Sequence, residues 1–235
     1  MLRKLFLLIC LLGLSVRLMA QRADSTTYLA DIRKELNTVW PKNRTINLVF
    51  HGHSVPAGFW HDHEVHTLES YPNLVLKKLK DQYPYAVINV IVTAIGGENS
   101  IKGQTRFEQD VLVHKPDVLF IDYALNDRFS EIGKVKEAWG QMIQAALARN
   151  IKVVLLTPSP DKRLDILDRT NPLEPHVQQI KQLAEKYHTG LADPYAQFKR
   201  IAARGDLVNY MSHVNHPNLE GHEIIATELM KWFTK

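Results

Sequence analysis

Five short apolar runs recur along the chain, each separated from the next by a helix-like segment, and this alternation restricts the fold more than any other feature. Ile46–Phe50 (INLVF), Val87–Val92 (VINVIV), Asp117–Tyr123 (DVLFIDY), Lys152–Leu156 and Leu191–Asp193 read as buried strands. Between them, Tyr71, Val75 and Leu79 line one helix face, with Ser70 as its cap and Pro72 in its first turn. Val135, Ala138, Trp139, Met142, Ile143 and Ala146 form a second stripe at helical spacing, closed by a left-handed Asn150. Further helices are expected over about 173–187 and 219–233. Continuous apolar strands alternating with helices require a parallel sheet covered on both faces, so the expected fold is a three-layer α/β/α domain.

The chain has 235 residues, 45% of them hydrophobic and 23% charged, enough for a sizeable core. Residues 1–20 carry Arg3 and Lys4 ahead of an apolar run from Leu5 to Val16, which reads as a signal peptide cleaved after Ala20. An N-terminal extension is expected over 21–43 and the main domain over 44–235. Losing Arg3, Lys4 and Arg17 leaves 26 basic residues against 25 acidic ones, so the net charge of +4 falls to +1. No long basic stripe remains, which argues against nucleic-acid binding. Cys10, the one cysteine, leaves with the signal, so neither disulfides nor a cysteine-based zinc site is expected. The mature protein is expected to be exported, periplasmic or secreted, with no stable membrane association.

In open parallel sheets, ligands sit outside the carboxyl ends of the strands. The first strand is followed by His51-Gly52-His53-Ser54, the second by Gly96-Gly97-Glu98, the third by Ala124-Leu125-Asn126-Asp127, and Asn215-His216-Pro217 lies near the C-terminus. A hydroxyl, a glycine turn, an amide and an imidazole at one sheet edge are the parts of an acyl-transfer site, since a serine needs a base and an oxyanion needs fixed donors. Position 56 is Pro, so Gly52-His53-Ser54 does not extend into the Gly-x-Ser-x-Gly elbow of α/β-hydrolases.

These blocks resemble those of the SGNH (GDSL-type) hydrolases over about residues 44–234. Gly52-His53-Ser54 is similar to the family's Gly-Asp-Ser, Gly97 to its second-block glycine, Ala124-Leu125-Asn126-Asp127 to its Gly-x-Asn-Asp, and His216-Pro217 to its last block. The resemblance implies a flavodoxin-like five-stranded parallel sheet and a serine esterase that uses no cofactor. Ser54 would be nucleophile and His216 general base, with an oxyanion hole of the Ser54 and Gly97 N–H groups and the Asn126 amide. Esters of short acyl groups on carbohydrate, acetyl above all, are the expected substrates. A lysophospholipase or thioesterase, or a non-catalytic carbohydrate-binding protein on the same fold, are the alternatives.

Three positions depart from the family pattern: His53 stands for Asp, Ala124 for Gly, and His213 for the triad Asp. Either the site is a Ser–His dyad with a carbonyl near residue 213, or Glu98, Asp127 or Asp193 orients His216, or catalysis has been lost. A neutral His216 is expected to lose activity below about pH 6–7. His53 and Trp60 are expected to contact substrate, with Phe59 and Phe129 nearby. The imidazoles of His51, His53, His61, His63 and His66 are expected to line the entrance rather than bind metal.

Overall fold

A computed structural model describes residues 21–61 and 63–234; the segment read as a signal peptide lies outside them. Strands β1 (Thr45–Gly52), β2 (Val87–Val92), β3 (Val118–Asp122), β4 (Lys152–Leu156) and β5 (Gly190–Ala192) form one parallel sheet in the order β2-β1-β3-β4-β5. The helices in chain order are α1 (Ala30–Leu36), α2 (Ser54–Ala57), α3 (Tyr71–Gln82), α4 (Ser100–Thr105), α5 (Phe107–Asp110), α6 (Ala124–Asp127), α7 (Ile132–Leu147), α8 (Glu174–Tyr187), α9 (Pro194–Ala202) and α10 (Leu219–Met230). Among the described residues, no helix is long and apolar enough to cross a membrane.

The pleat divides each central strand between two cores. Ile46, Leu48 and Phe50 of β1, with Val118 and Phe120 of β3, face α1, α3, α9 and α10. Val49 of β1, with Leu119 and Ile121 of β3, faces α5, α7 and α8. This is the three-layer arrangement expected from the alternation of segments. On α7 all six stripe residues are buried, and Asn150 does take a left-handed conformation, with φ of 59°.

Several local expectations change. Ser70 stands at the N-cap of α3, but its hydroxyl donates back to the Thr67 carbonyl at 2.7 Å and makes no capping bond. Asp193 lies beyond β5 and caps α9, accepting from the Ala196 N–H at 3.1 Å. The N-terminal extension over 21–43 packs onto the domain, with Leu29, Ile32 and Leu36 in the same core as Trp232 and Phe233. Arg33, buried beside them, donates to the Trp232 carbonyl at 3.0 Å.

From β1 the chain crosses to β2 on one side and then returns to β3 on the other. Their carboxyl ends therefore bound the crevice where the connections part. Ser54 opens α2 at that point, directly after β1.

Candidate active site

His53 is extended and precedes the first residue of α2; its Nδ1 accepts from the Val55 N–H at 3.2 Å. The next residue, Ser54, donates from Oγ to Nε2 of His216 at 2.8 Å. His216 sits in a tight turn closed by its own carbonyl, which accepts from the N–H groups of Ser212 at 3.0 Å and His213 at 3.2 Å. Burial, reinforced by the neighbouring His53 and His213 imidazoles, lowers the His216 pKa to about 4. The ring is therefore neutral at neutral pH, and accepting at Nε2 leaves its proton on Nδ1. That Nδ1 is buried and has no hydrogen-bond partner among the described residues. A hydroxyl held against a neutral imidazole is the arrangement from which a base can take the proton as oxygen attacks a carbonyl.

None of the three acids considered as orienting groups has its carboxylate on His216. Glu98 accepts from Arg106 Nε at 2.9 Å and from the Tyr123 hydroxyl at 2.8 Å. Asp127 accepts from the Ser100 N–H at 2.8 Å and Trp139 Nε1 at 2.7 Å. Asp193 is taken up by Thr157 and Lys181, both at 2.8 Å. Each is satisfied by the element beside it, so none is left to reach across to the imidazole. His213 is exposed, with its ring centroid 6.5 Å from that of His216.

Gly97 takes a φ of 76°, a left-handed conformation that a residue with a Cβ adopts only under strain. The Asn126 amide donates one hydrogen to the Glu98 carbonyl at 2.9 Å, which keeps its second hydrogen for another acceptor. Asn126 and the Gly97–Glu98 segment are therefore joined directly.

The expected substrate contacts are redistributed. His53 is fully buried, and its Nε2 lies 3.4 Å from Asp122 Oδ1. It shapes the start of α2 from inside rather than meeting a ligand. Since Nδ1 accepts, the proton must be on Nε2, facing that carboxylate. Asp122 in turn accepts from the Tyr71 hydroxyl at 3.1 Å. Trp60 stacks on His66 at 4.1 Å between centroids and packs within its own loop. Phe59 is the aromatic residue beside the dyad: its N–H donates to the Ser54 carbonyl at 3.1 Å, and its ring lies 6.4 Å from that of His216. Phe129 is 75% exposed beneath the Arg128 guanidinium.

His51 does not line an entrance either. It is fully buried, and burial, with Arg106 nearby, lowers its pKa to about 4. Among the described residues, which exclude Asp62, no group of three or more His, Cys, Asp or Glu is placed to hold a metal ion. Sequence reading gave no site role to Asp122, Tyr71, Arg106 or Tyr123. A charged residue closing the apolar run of β3 was the available signal for Asp122.

The family description "GDSL-like Lipase/Acylhydrolase family" matches residues 50–224, a span that contains Ser54, Gly97, Asn126 and His216. The chain belongs to this family. As a GDSL-like acylhydrolase it is an ester hydrolase. An acetylxylan esterase of Geobacillus stearothermophilus is 24% identical over 175 residues, covering 68% of this chain and 79% of that one. A crystal structure of an acetylxylan esterase from that organism superposes with a TM-score of 0.69 at 20% identity, over 81% of this chain and 94% of that one. A GDSL-like lipase of Parabacteroides merdae, described as putative, gives 0.69 at 17% identity, over 80% and 95%. At these identities the likeness establishes the shared five-stranded α/β fold.

Proposed function

We propose that this GDSL-family hydrolase removes short acyl groups, acetyl above all, from carbohydrate, with Ser54 as nucleophile and His216 as its base in a dyad. The observation that carries the reading is the 2.8 Å hydrogen bond from Ser54 Oγ to His216 Nε2 at the carboxyl edge of β1. In the first half-reaction, Ser54 Oγ attacks the ester carbonyl and its proton passes to His216 Nε2. The developing oxyanion is received by the Ser54 and Gly97 N–H groups and the free hydrogen of the Asn126 amide. His216 then protonates the leaving sugar hydroxyl as the bond to the acyl carbon breaks. In the second half-reaction, His216 takes a proton from the water that attacks the acyl carbon and returns it to Ser54 Oγ as the Oγ–acyl bond breaks and acetate leaves. Support for a carbohydrate ester comes from the acetylxylan esterases that share the fold and, for one of them, sequence over most of its length.

Export is part of the same reading, resting on Arg3, Lys4 and the apolar run from Leu5 to Val16. N-terminal sequencing of protein recovered outside the cytoplasm should begin at Gln21; recovery of the intact Met1 terminus would overturn it.

The test of activity is hydrolysis of p-nitrophenyl acetate and of acetylated xylan by the protein and by Ser54→Ala, with fluorophosphonate labelling alongside. Acetate release and labelling that both disappear in Ser54→Ala are expected. Equal rates for the two proteins would refute the assignment of Ser54. Hydrolysis of the nitrophenyl ester without release of acetate from xylan would keep the dyad and reject that polysaccharide as substrate.

A further inference from the structure

Glu98 does not orient His216, yet its carboxylate is almost completely buried, with the residue 7% exposed. Its partners come from several elements. Arg106, at the junction of α4 and α5, donates from Nε to both carboxylate oxygens, at 2.9 and 3.1 Å. Tyr123, which directly precedes α6, donates its hydroxyl to Oε2 at 2.8 Å. His51 of β1 approaches the same hydroxyl at 3.1 Å and the Gly103 carbonyl at 3.2 Å. A carbonyl only accepts, so His51 carries its proton on Nε2, and its Nδ1 accepts from the Thr93 hydroxyl at 2.9 Å. A Cβ at position 103 would stand 2.2 Å from the Tyr123 hydroxyl, so a glycine there is what admits the phenol.

The elements tied to this carboxylate are those that carry the three oxyanion donors. Gly97 is its chain neighbour. Asn126 begins three residues beyond Tyr123 and bonds the Glu98 carbonyl at 2.9 Å. His51 stands three residues ahead of Ser54 on β1. The turn through Gly96 and Gly97 is closed by one backbone bond, from the Glu98 N–H to the Ile95 carbonyl at 3.2 Å, and beyond its chain neighbours nothing packs within 4 Å of where a Gly97 Cβ would stand. The anchoring of Glu98 therefore bears directly on how Gly97 is oriented. Oxyanion donors act by being fixed before charge develops, so displacement by a fraction of an ångström removes much of their effect.

We propose that Glu98 is a positioning residue, whose carboxylate, clamped by Arg106 and Tyr123, holds the Gly97–Glu98 backbone and the Asn126 amide in the geometry that receives the oxyanion. The inference rests on the esterase reading above and deepens it: the second-strand loop contributes a donor only while this buried brace is intact.

The experiment measures kcat and KM on p-nitrophenyl acetate for the protein, Glu98→Ala, Tyr123→Phe, Asn126→Ala and the double variant Glu98→Ala/Asn126→Ala. Active sites are counted by the final stoichiometry of fluorophosphonate labelling, and thermal midpoints are recorded. Glu98→Ala should lower kcat per site by about tenfold to a hundredfold with KM unchanged. Tyr123→Phe keeps the ring in place and removes only the hydroxyl, so it remains informative if Glu98→Ala folds poorly; it should lower kcat by about threefold to tenfold. The double variant should lose less than the product of the single losses, because both changes act on one set of donors. An unchanged kcat per site with a lowered thermal midpoint would overturn the proposal and leave Glu98 a structural ion pair. Losses that multiply in the double variant would overturn it as well. If the unmodified protein neither hydrolyses esters nor takes the label, the esterase reading itself fails.

Discussion

Position 213 offers the most direct test of how the dyad works. His213→Asp restores the residue type that the resemblance calls for, beside a His216 whose Nδ1 is buried without a partner among the described residues. The two rings are now 6.5 Å apart, and a carboxylate at that separation, with an effective dielectric of about 20, attracts an imidazolium by about 2.5 kcal/mol. That is roughly 1.9 pKa units in favour of the protonated ring. Starting from about 4, His216 should rise to about 6, and the acid limb of kcat/KM should move up with it. The transition state forms the same imidazolium, so kcat above neutral pH should rise by up to about seventyfold if the attraction is fully expressed. The assay is the pH profile on p-nitrophenyl acetate from about pH 4 to 9, per active site, for both proteins. An acid limb that moves by less than about half a unit, with kcat unchanged, would refute the reasoning that a charge at position 213 reaches the His216 imidazolium.

The unmodified protein should keep its activity in acid further than an ordinary histidine allows, since burial holds His216 at about 4; an acid limb near 6.5 would contradict this. Asn126→Ala should lower kcat by about a hundredfold, the effect of removing one oxyanion donor, with far-ultraviolet circular dichroism unchanged; full turnover would remove Asn126 from the hole. His51 and His216 are held to about 4 and His222 to about 3, so in acid the unfolded chain binds protons that the folded one refuses. Their contribution to stability is present above about pH 6.5 and is lost as the pH falls toward 4, so the urea midpoint should drop between about pH 7 and 5; an unchanged midpoint would refute it. Trp139→Phe removes a buried hydrogen bond to the Asp127 carboxylate and should lower unfolding free energy by about 1.5–3 kcal/mol in urea titrations, whereas an unchanged value would mean the indole N–H contributes nothing.

The fold was legible wherever one strand's own residues decide it. β4 has the bounds that its apolar run implies, because a strand covered on both faces is apolar almost throughout, and β2 keeps the bounds of its β-branched run although it lies at the sheet edge and is only partly covered. α1 was not legible, since Leu29, Ile32 and Leu36 stand among charged residues and gain their burial from a core shared with β1 and with Trp232 and Phe233, far along the chain. Ser54 and His216 could be singled out because local blocks carry them. The surroundings of His53 and Glu98 were not legible for a common reason: each depends on residues that the fold brings in from other elements. The β1–β3 register sets Gly52 beside Asp122 and so brings the next residue, His53, to a carboxylate. No spacing within Gly52-His53-Ser54 encodes that neighbour.

The bond from Arg33 to the Trp232 carbonyl joins positions 199 residues apart in the chain. A ribosome delivers the first of these long before the last. Until the segment after α10 has emerged, Arg33 lacks the Trp232 carbonyl and Tyr28 the Trp232 ring, and the core that Leu29, Ile32 and Leu36 share with Trp232 and Phe233 stays incomplete. Long-range closures of this kind delay folding. For a chain proposed to leave the cytoplasm, the delay is useful: a polypeptide unable to complete its core before its final turns are synthesised stays threadable for longer.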